Sequence, residues 1–334
     1  MIKKTNLIGI LVLGVFVAVG CEESTTSIDS TTNTENNDIL STSMSSGETA
    51  SLTECQDTGV GLTAHYINET PNSPLDITCD IGVYVDKDGE IDGVTLNATF
   101  DGAKSKQYGI YVKGANVKLA NSSVNTDADY PHQFVPITYQ DGATGNITNN
   151  EVTGVHRAGI VLRGAGTDVN VDGNNVIGIG PKSTGWAQNG IQVDQEASGV
   201  IKNNLVEGHF YNKDTFVSSG IGVFSDNVNV QKNTIRNNDL GVALVGNNTN
   251  VNHNTIEITY TEVDVNYIFG VWAYPSEDNG IRQNTITSNT GTGFGIFLQG
   301  TENTKLIRND VSGWGTNLID GGDDTKLPKP FEID

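Results

Sequence analysis

Arg163, Asp194 and His156 are the side chains best suited to move charge: a fixed cation, a carboxylate and an imidazole that titrates near neutrality. A guanidinium neutralises an anionic group on a ligand, a histidine takes or returns a proton, and a carboxylate orients whichever of the two it touches. His132 and Tyr139 are further proton carriers, and Lys113 and Arg157 further cations. Their spacing says more than their types. Lys113, Gln140, Arg163 and Asp194 are separated by 140−113 = 27, 163−140 = 23 and 194−163 = 31 residues, and the same steps recur in a glycine-led motif along most of the chain.

That motif is Gly-[Ile/Val]-x-[Val/Leu/Ala]. It occurs at Gly82, Gly109, Gly159, Gly190, Gly220, Gly241, Gly270 and Gly295, with Pro136-Ile137-Thr138-Tyr139 in the place of one more. From Gly82 the steps are 27, 27, 23, 31, 30, 21, 29 and 25, a period that indicates stacked coils rather than one compact core. A second motif, apolar-x-x-Asn-x-apolar, follows at Asn150, Asn174, Asn203, Asn233, Asn254, Asn284 and Asn309, with Ser122 in the equivalent place earlier. Asn tolerates the left-handed conformation of a tight turn, and its amide both donates and accepts, so stacked coils are expected to align these residues into a ladder.

Alternation along each leading strand puts Ile191 and Val193 inward and Gln192 and Asp194 outward. The same register in every coil predicts two exposed columns. One runs Tyr84, Tyr111, Thr138, Val161, Gln192, Gly222, Ala243, Trp272 and Phe297; the other runs Asp86, Lys113, Gln140, Arg163, Asp194, Phe224, Val245, Tyr274 and Gln299. The longest insertions precede these strands and carry His132, His156, Arg157, Lys182, Gln188, His209 and Tyr211. Loops on a rigid scaffold are where binding and catalysis concentrate.

The order of first strand, second strand, Asn turn, third strand and variable loop resembles the right-handed parallel β-helix of the pectin lyase superfamily, over roughly residues 80–311. The fold class expected is therefore all-β: a parallel β-helix solenoid of about nine coils over residues 82–311, with an Asn ladder. At about 4.8 Å per coil this makes a rod on the order of 40 Å long. The resemblance implies a polysaccharide ligand and, for an acidic one, removal of the proton α to a uronate carboxylate by a lyase or a C5 epimerase. In that reading Arg163, with Arg157 or Lys113, neutralises the carboxylate. His156, His132 or Tyr139 serves as base or acid, and Asp194 orients its partner. Asp129-Tyr130-Pro131-His132 is similar to the Asp-Pro-His motif of mannuronan C5 epimerases, with Tyr130 inserted. Substrate contacts are expected from Lys113, Gln140, Arg157, Lys182, Gln188, Gln192, Tyr211, Trp272 and Tyr274. Two rivals stand beside this: a glycoside hydrolase using Asp194 and Glu196, and a non-catalytic, adhesin-like glycan-binding protein. Arg163 and Asp194, one coil apart, also fit a plain surface ion pair.

Composition narrows the partners. With 40 acidic against 19 basic residues, the formal charge of −21 argues against nucleic-acid binding and against electrostatic docking to anionic lipid. A polyanionic ligand needs a local basic patch on this background. Residues 1–20 read as an export signal, with Lys3 and Lys4 ahead of an apolar run from Leu7 to Val19 that is short for a membrane span. Ala18-Val19-Gly20-Cys21 resembles a bacterial lipobox, which implies lipidation of Cys21 and a cell-envelope location, on the outer surface or in the periplasm. Residues 21–52 are Ser/Thr-rich and read as a disordered tether. Cys55 and Cys79 are expected to pair, pinning an N-terminal cap at 53–81 onto the first coil, and residues 312–334 to close the last edge, with Trp314 packed. Asp127 and Asp129 are oxygen donors for Ca2+ without a complete ligand motif around them; no other cofactor is indicated. A monomer is expected, touching the membrane only through its lipid.

Overall fold

The computed structural model describes residues 54–99, 106–127, 133–181, 187–211, 217–259 and 268–327. The expectations for Cys21 and the tether lie outside these residues. The chain divides into two units, Met1–Glu54 and Cys55–Asp334. All regular elements among the described residues are strands of the second unit, arranged in three sheets of twelve, nine and ten strands.

The coil at residue 190 shows the plan. Asn189–Asp194 lies in the first sheet, Ser198–Lys202 in the second and Leu205–His209 in the third. Each strand pairs in parallel with its equivalents one coil before and one coil after, Ile160↔Ile191↔Ile221 in the first sheet for example. Nine coils carry all three strands, from Ile81–Val85 to Asp310–Ser312, which matches the count read from the glycine motif. Parallel strands feed one another through short turns, so each coil buries only one side of each strand.

The bore is filled by columns of side chains that are aliphatic except for Tyr139. Ile110, Ile137, Ile160, Ile191, Ile221, Val242, Val271 and Ile296 form one, and Val112, Tyr139, Leu162, Val193, Val223, Leu244, Ala273 and Leu298 another, all fully buried. The flanking residues of the Asn motif fill the other two walls: Ile147, Val171, Val230 and Ile281 from the second sheet, and Val152, Val176, Ile235 and Ile286 from the third. Burying one such side chain contributes about 1.5–3 kcal/mol, and the columns make that gain repeat with every coil. The leading glycine has a steric cause. A Cβ on Gly159 would lie 2.6 Å from Val176 Cγ1 and 2.7 Å from the carbonyl oxygen of Gly190, because the third and first strands meet at a tight corner there.

The ladder forms with one change of register. Ser122, Asn150, Asn174, Asn204, Asn233, Asn254, Asn284 and Asn309 are buried and succeed one another, each Asn accepting from the backbone N–H of the preceding member and, where that member is Asn, from its side-chain amide, as in Asn174 Nδ2 to Asn204 Oδ1 at 2.9 Å. Each Asn side chain also donates to a backbone carbonyl of the preceding coil. The sequence expectation of Asn203 is corrected to Asn204, since Ile201 and Val206, not Val200 and Leu205, point into the bore. The left-handed residue is the one before the ladder: Asn149, Gly173, Asn203, Lys232, His253, Gln283 and Arg308 all have φ between 51° and 71°.

At the N-terminal end Gln56–Asp57 pairs antiparallel with Thr63–Ile67, which starts the first sheet, and a disulfide joins Cys55 to Cys79. At the other end Thr316–Asp323 adds a further parallel strand to Phe294–Glu302. Trp314 is buried beneath it, its Nε1 donating to the Ile286 carbonyl at 3.1 Å.

Candidate functional site

The outward face of the first sheet carries three side chains per coil: one just before the leading glycine, one two residues after it and one four residues after it. Along the solenoid the character of this face changes. Tyr84, Tyr108 and Tyr111 cluster at the N-terminal coils, with the Lys106 ammonium 4.8 Å from the centre of the Tyr108 ring. Val135, Ala158 and Val161 follow. Then the face turns polar at Arg163, Asn189, Gln192, Asp194 and Ser219. Beyond Leu240 it becomes aromatic again, where Phe269, Trp272, Tyr274, Phe294 and Phe297 pack with ring centroids 5.1–6.2 Å apart, stacked except for the edge-on Tyr274 and the tilted Phe294–Phe297 pair. Gln192 lies three coils from Tyr111 and three from Trp272, so the polar centre stands about 14 Å from each aromatic end.

The polar centre is a continuous hydrogen-bonded chain. Arg163 Nε and Nη2 donate to Asp194 Oδ1 and Oδ2 at 2.7 and 2.6 Å, a bidentate pair. Gln192 Nε2 donates to Asp194 Oδ2. Asn189 Nδ2 donates to Gln192 Oε1 at 2.9 Å, and the N–H and hydroxyl of Ser219 both donate to Asn189 Oδ1. Asp194 is wholly buried and Arg163 half-buried, so this is not the plain surface ion pair that adjacent coils alone would allow. Such a pair is strongly coupled to its surroundings, and removing either partner leaves the other charge stranded.

The two predicted columns keep their register, yet the first is not exposed. Tyr84, Tyr111, Thr138, Val161 and Gln192 are all buried, and Trp272 and Phe297 are half-buried, because neighbouring side chains of adjacent coils pack over one another. Lys113 and Gln140 are half-buried and lean on Asp141, the lysine at 3.4 Å and the amide at 3.0 Å. Tyr274 is half-buried, edge-on to Trp272.

Placement corrects the nomination of Tyr139 and gives the bonding partners of other nominated residues. Tyr139 lies in the bore, since the alternation that turns Thr138 and Gln140 outward turns it inward; its hydroxyl donates to the Val117 carbonyl at 3.3 Å and burial pushes its ionisation far up. A side chain there cannot reach a ligand on the outer wall. His156 is buried, its Nε2 2.7 Å from the Asp127 carbonyl oxygen, which anchors the preceding insertion. Arg157 donates to the Ala187 carbonyl at 3.0 Å. Gln188 is fully buried and spends its amide on the Ile179 N–H and the Gly180 carbonyl. Tyr211 is buried, with its backbone N–H on Asp239 Oδ2 at 2.7 Å. Loop insertions need their ends tied down, and the side chains of His156, Arg157, Gln188 and Asp239 do that. His132 and Lys182 lie outside the described residues. So does Asp129, and among the described residues no three His, Cys, Asp or Glu side chains gather as a metal site around Asp127 or elsewhere.

Two features escaped the sequence reading. Asn189 and Ser219 occupy the column that is Tyr108, Val135, Ala158, Leu240, Phe269 and Phe294 in other coils; a polar residue just ahead of the glycine in only these two adjacent coils is the signal that marks them. The second is His209 with Asp239, both buried at the foot of the insertion after Tyr211. Burial lowers the His209 pKa to about 4 against a hydrogen bond to Asn238, and raises that of Asp239 to about 7 against two backbone N–H donors.

The fold and this wall define a class. The chain belongs to the right-handed β-helix family, matching the right handed beta helix region over residues 27–219 and again over 137–311. Among solved structures it is similar to a double mutant of the periplasmic alginate epimerase AlgG, with 18% identity and a TM-score of 0.54, over 75% of this chain and 60% of that one; a single mutant of the same protein gives a TM-score of 0.53. A DFA-IIIase from Arthrobacter chlorophenolicus A6 is similar at 14% identity and a TM-score of 0.45, over 76% of this chain and 61% of that one. This chain thus spans about three fifths of each. No curated protein matches it in sequence.

Proposed function

We propose that this protein is a carbohydrate-active β-helix protein of the cell envelope whose first-sheet face takes an acidic, uronate-containing polysaccharide and removes the proton at C5. The observation that carries the proposal is the polar centre of that face, where Arg163, Asp194, Gln192 and Asn189 sit on two adjacent rungs between aromatic ends. Aromatic rings offer apolar faces to sugar rings, and the half-buried Arg163 guanidinium offers a cation to a carboxylate, with the Gln192 and Asn189 amides holding Asp194 in place behind it. The AlgG likeness in fold supports the same substrate class.

In this reading a base takes the C5 proton while Arg163, held at one edge by Asp194, faces the uronate carboxylate and lowers the cost of the charge that develops there. The lyase outcome forms a C4=C5 double bond as the glycosidic bond at C4 breaks and the leaving oxygen takes a proton. The epimerase outcome returns a proton to C5 from the opposite face. His132 is the nominated base, since His156 and Tyr139 are engaged inside the scaffold. The hydrolase reading loses ground, because Asp194 is buried and committed to Arg163 and Gln192. The non-catalytic glycan-binding reading stands second, favoured by the same engagement of His156 and Tyr139.

Alginate and pectin panels test the proposal, with unsaturated product followed at the ultraviolet edge and C5 configuration by NMR. Turnover that is lost in His132→Ala and kept in Tyr139→Phe is expected. Binding without turnover on every uronate polymer selects the glycan-binding reading. Lipidation of Cys21 is proposed with the envelope location, and its check is a mass shift of the mature N-terminus that Cys21→Ser abolishes.

A further inference from the structure

The left-handed position before the Asn ladder changes character along the solenoid. In the early coils it holds Gly93, Asn121, Asn149, Gly173 and Asn203, residues that adopt positive φ at little cost; in the later ones it holds Lys232, His253, Gln283 and Arg308. Lys232 and Arg308 are the only lysine and arginine with positive φ among the described residues. The adjoining column of the second sheet runs Lys202, Gln231, Asn252, Arg282 and Ile307 in the same coils. Together the two columns present Lys202, Lys232, His253, Arg282 and Arg308, one basic side chain per coil over five consecutive coils, along about 19 Å. Neither column holds an acidic residue in those coils. Among the described residues Lys202 pairs with Asp172 at 3.4 Å, while Lys232, Arg282 and Arg308 have no ion-pair partner.

This basic file stands on a chain of net charge −21, on the edge between the second and third sheets and away from the first-sheet face. Glu207, Glu257 and Asp310 flank it on the third sheet, and Glu207 is taken by Arg236 at 2.8 Å. We propose that it is a docking ridge for a strand of acidic polysaccharide, separate from the first-sheet site and independent of any catalysis there. Lysine and arginine in single file on four of five successive rungs, with His253 on the fifth, match a thin polyanion with regularly repeated charge. A planar anionic bilayer would meet the acidic flanks as well. Single-stranded nucleic acid is stacked on aromatic side chains in proteins that bind it, and these columns contain none in the five coils.

The test uses the full chain, fluorescently labelled polygalacturonate, and binding read by anisotropy from about 50 to 200 mM salt. Lys232→Asn/Arg308→Asn installs the residue that earlier coils use at this position, so folding is retained; Lys232→Glu/Arg308→Glu is the second variant. The expected result is affinity at least about tenfold weaker in the Asn variant, weaker again in the Glu variant, and a log–log salt slope reduced by about 1.4 for two lost contacts. Unchanged affinity and slope in both variants, equal binding of neutral dextran, or tighter binding of phosphatidylglycerol vesicles or oligo(dT) overturns the proposal. The two readings fail separately: a wild type without turnover that shows the variant-dependent binding loses only the catalytic reading, and turnover with binding unaffected by both variants loses only the ridge.

Discussion

Replacing Asn204 by Ala separates the observed ladder from the register that spacing alone suggests. The Asn204 side chain donates to the Val171 carbonyl at 3.0 Å and to Asn233 Oδ1 at 2.9 Å, and accepts from the N–H and the side-chain amide of Asn174 at 2.9 Å each. Asn233 Oδ1 keeps the Asn204 N–H as donor, but the Val171 carbonyl and both Asn174 donors lose this partner in a buried turn. Asn174 Nδ2 keeps the Ile147 carbonyl, so two groups are left unpaired, and at about 1–3 kcal/mol for each buried polar group the loss is on the order of 2–6 kcal/mol. Asn203, next in the chain, is exposed, has φ 56°, and bonds only Asp172 from its side chain among the described residues. Asn203→Gly removes one exposed hydrogen bond and relieves the left-handed backbone, a net change within about 0.5 kcal/mol. Stacked repeats need not unfold all at once, so the assay is amide hydrogen exchange resolved by coil. Protection is expected to collapse around residues 170–236 in Asn204→Ala and to stay level in Asn203→Gly. Equal loss in the two, or greater loss in Asn203→Gly, refutes the ladder assignment.

Other predictions rest on buried charge. Tyr139→Phe costs about 1 kcal/mol from its lost hydrogen bond and leaves turnover unchanged, measured by thermal melting beside the ultraviolet assay. Arg163→Met strands the Asp194 carboxylate and lowers stability by about 3–5 kcal/mol, while Arg163→Met/Asp194→Leu recovers much of it; denaturant titration of the cycle decides. His209 and Asp239 oppose one another in pH. The His209 pKa falls to about 4 in the fold, so its contribution is complete above the unfolded value near 6.5 and is lost as pH drops toward 4. The Asp239 pKa rises to about 7, so the fold is favoured most below about 4 and loses stability as pH climbs to 7. At 1.36 kcal/mol per unit each is on the order of 3–4 kcal/mol, and in the wild type they nearly cancel. Melting between pH 4 and 6.5 should therefore rise with pH in Asp239→Asn and fall with pH in His209→Gln; parallel curves for all three proteins contradict this.

The repeating part of the structure was legible because it obeys short-range rules. Alternation fixed which face Ile191 and Gln192 take, and the glycine steps fixed which residues become neighbours between coils. The ladder slipped by one at Asn203 because Asn203-Asn204 offers two candidates, and only the burial of Ile201 and Val206 decides between them. The site was less legible for a physical reason. Whether an outward side chain meets solvent depends on its neighbours in the coils above and below, and Gln192 and Thr138 are covered by theirs. Polar residues in insertions look catalytic in sequence, yet the His156 and Gln188 side chains are spent on holding the insertions to the solenoid. The Asn189 and Ser219 pair was hidden because its column is otherwise apolar.

The most direct test is the fate of the C5 hydrogen of a uronate polymer incubated with the full chain in D2O and followed by proton NMR. A lyase removes that hydrogen and an epimerase exchanges it for deuterium, so loss of the C5 proton signal is the result expected of either. A C5 signal that stays at full intensity, in a sample where the polymer is bound, contradicts the catalytic account of the first-sheet face.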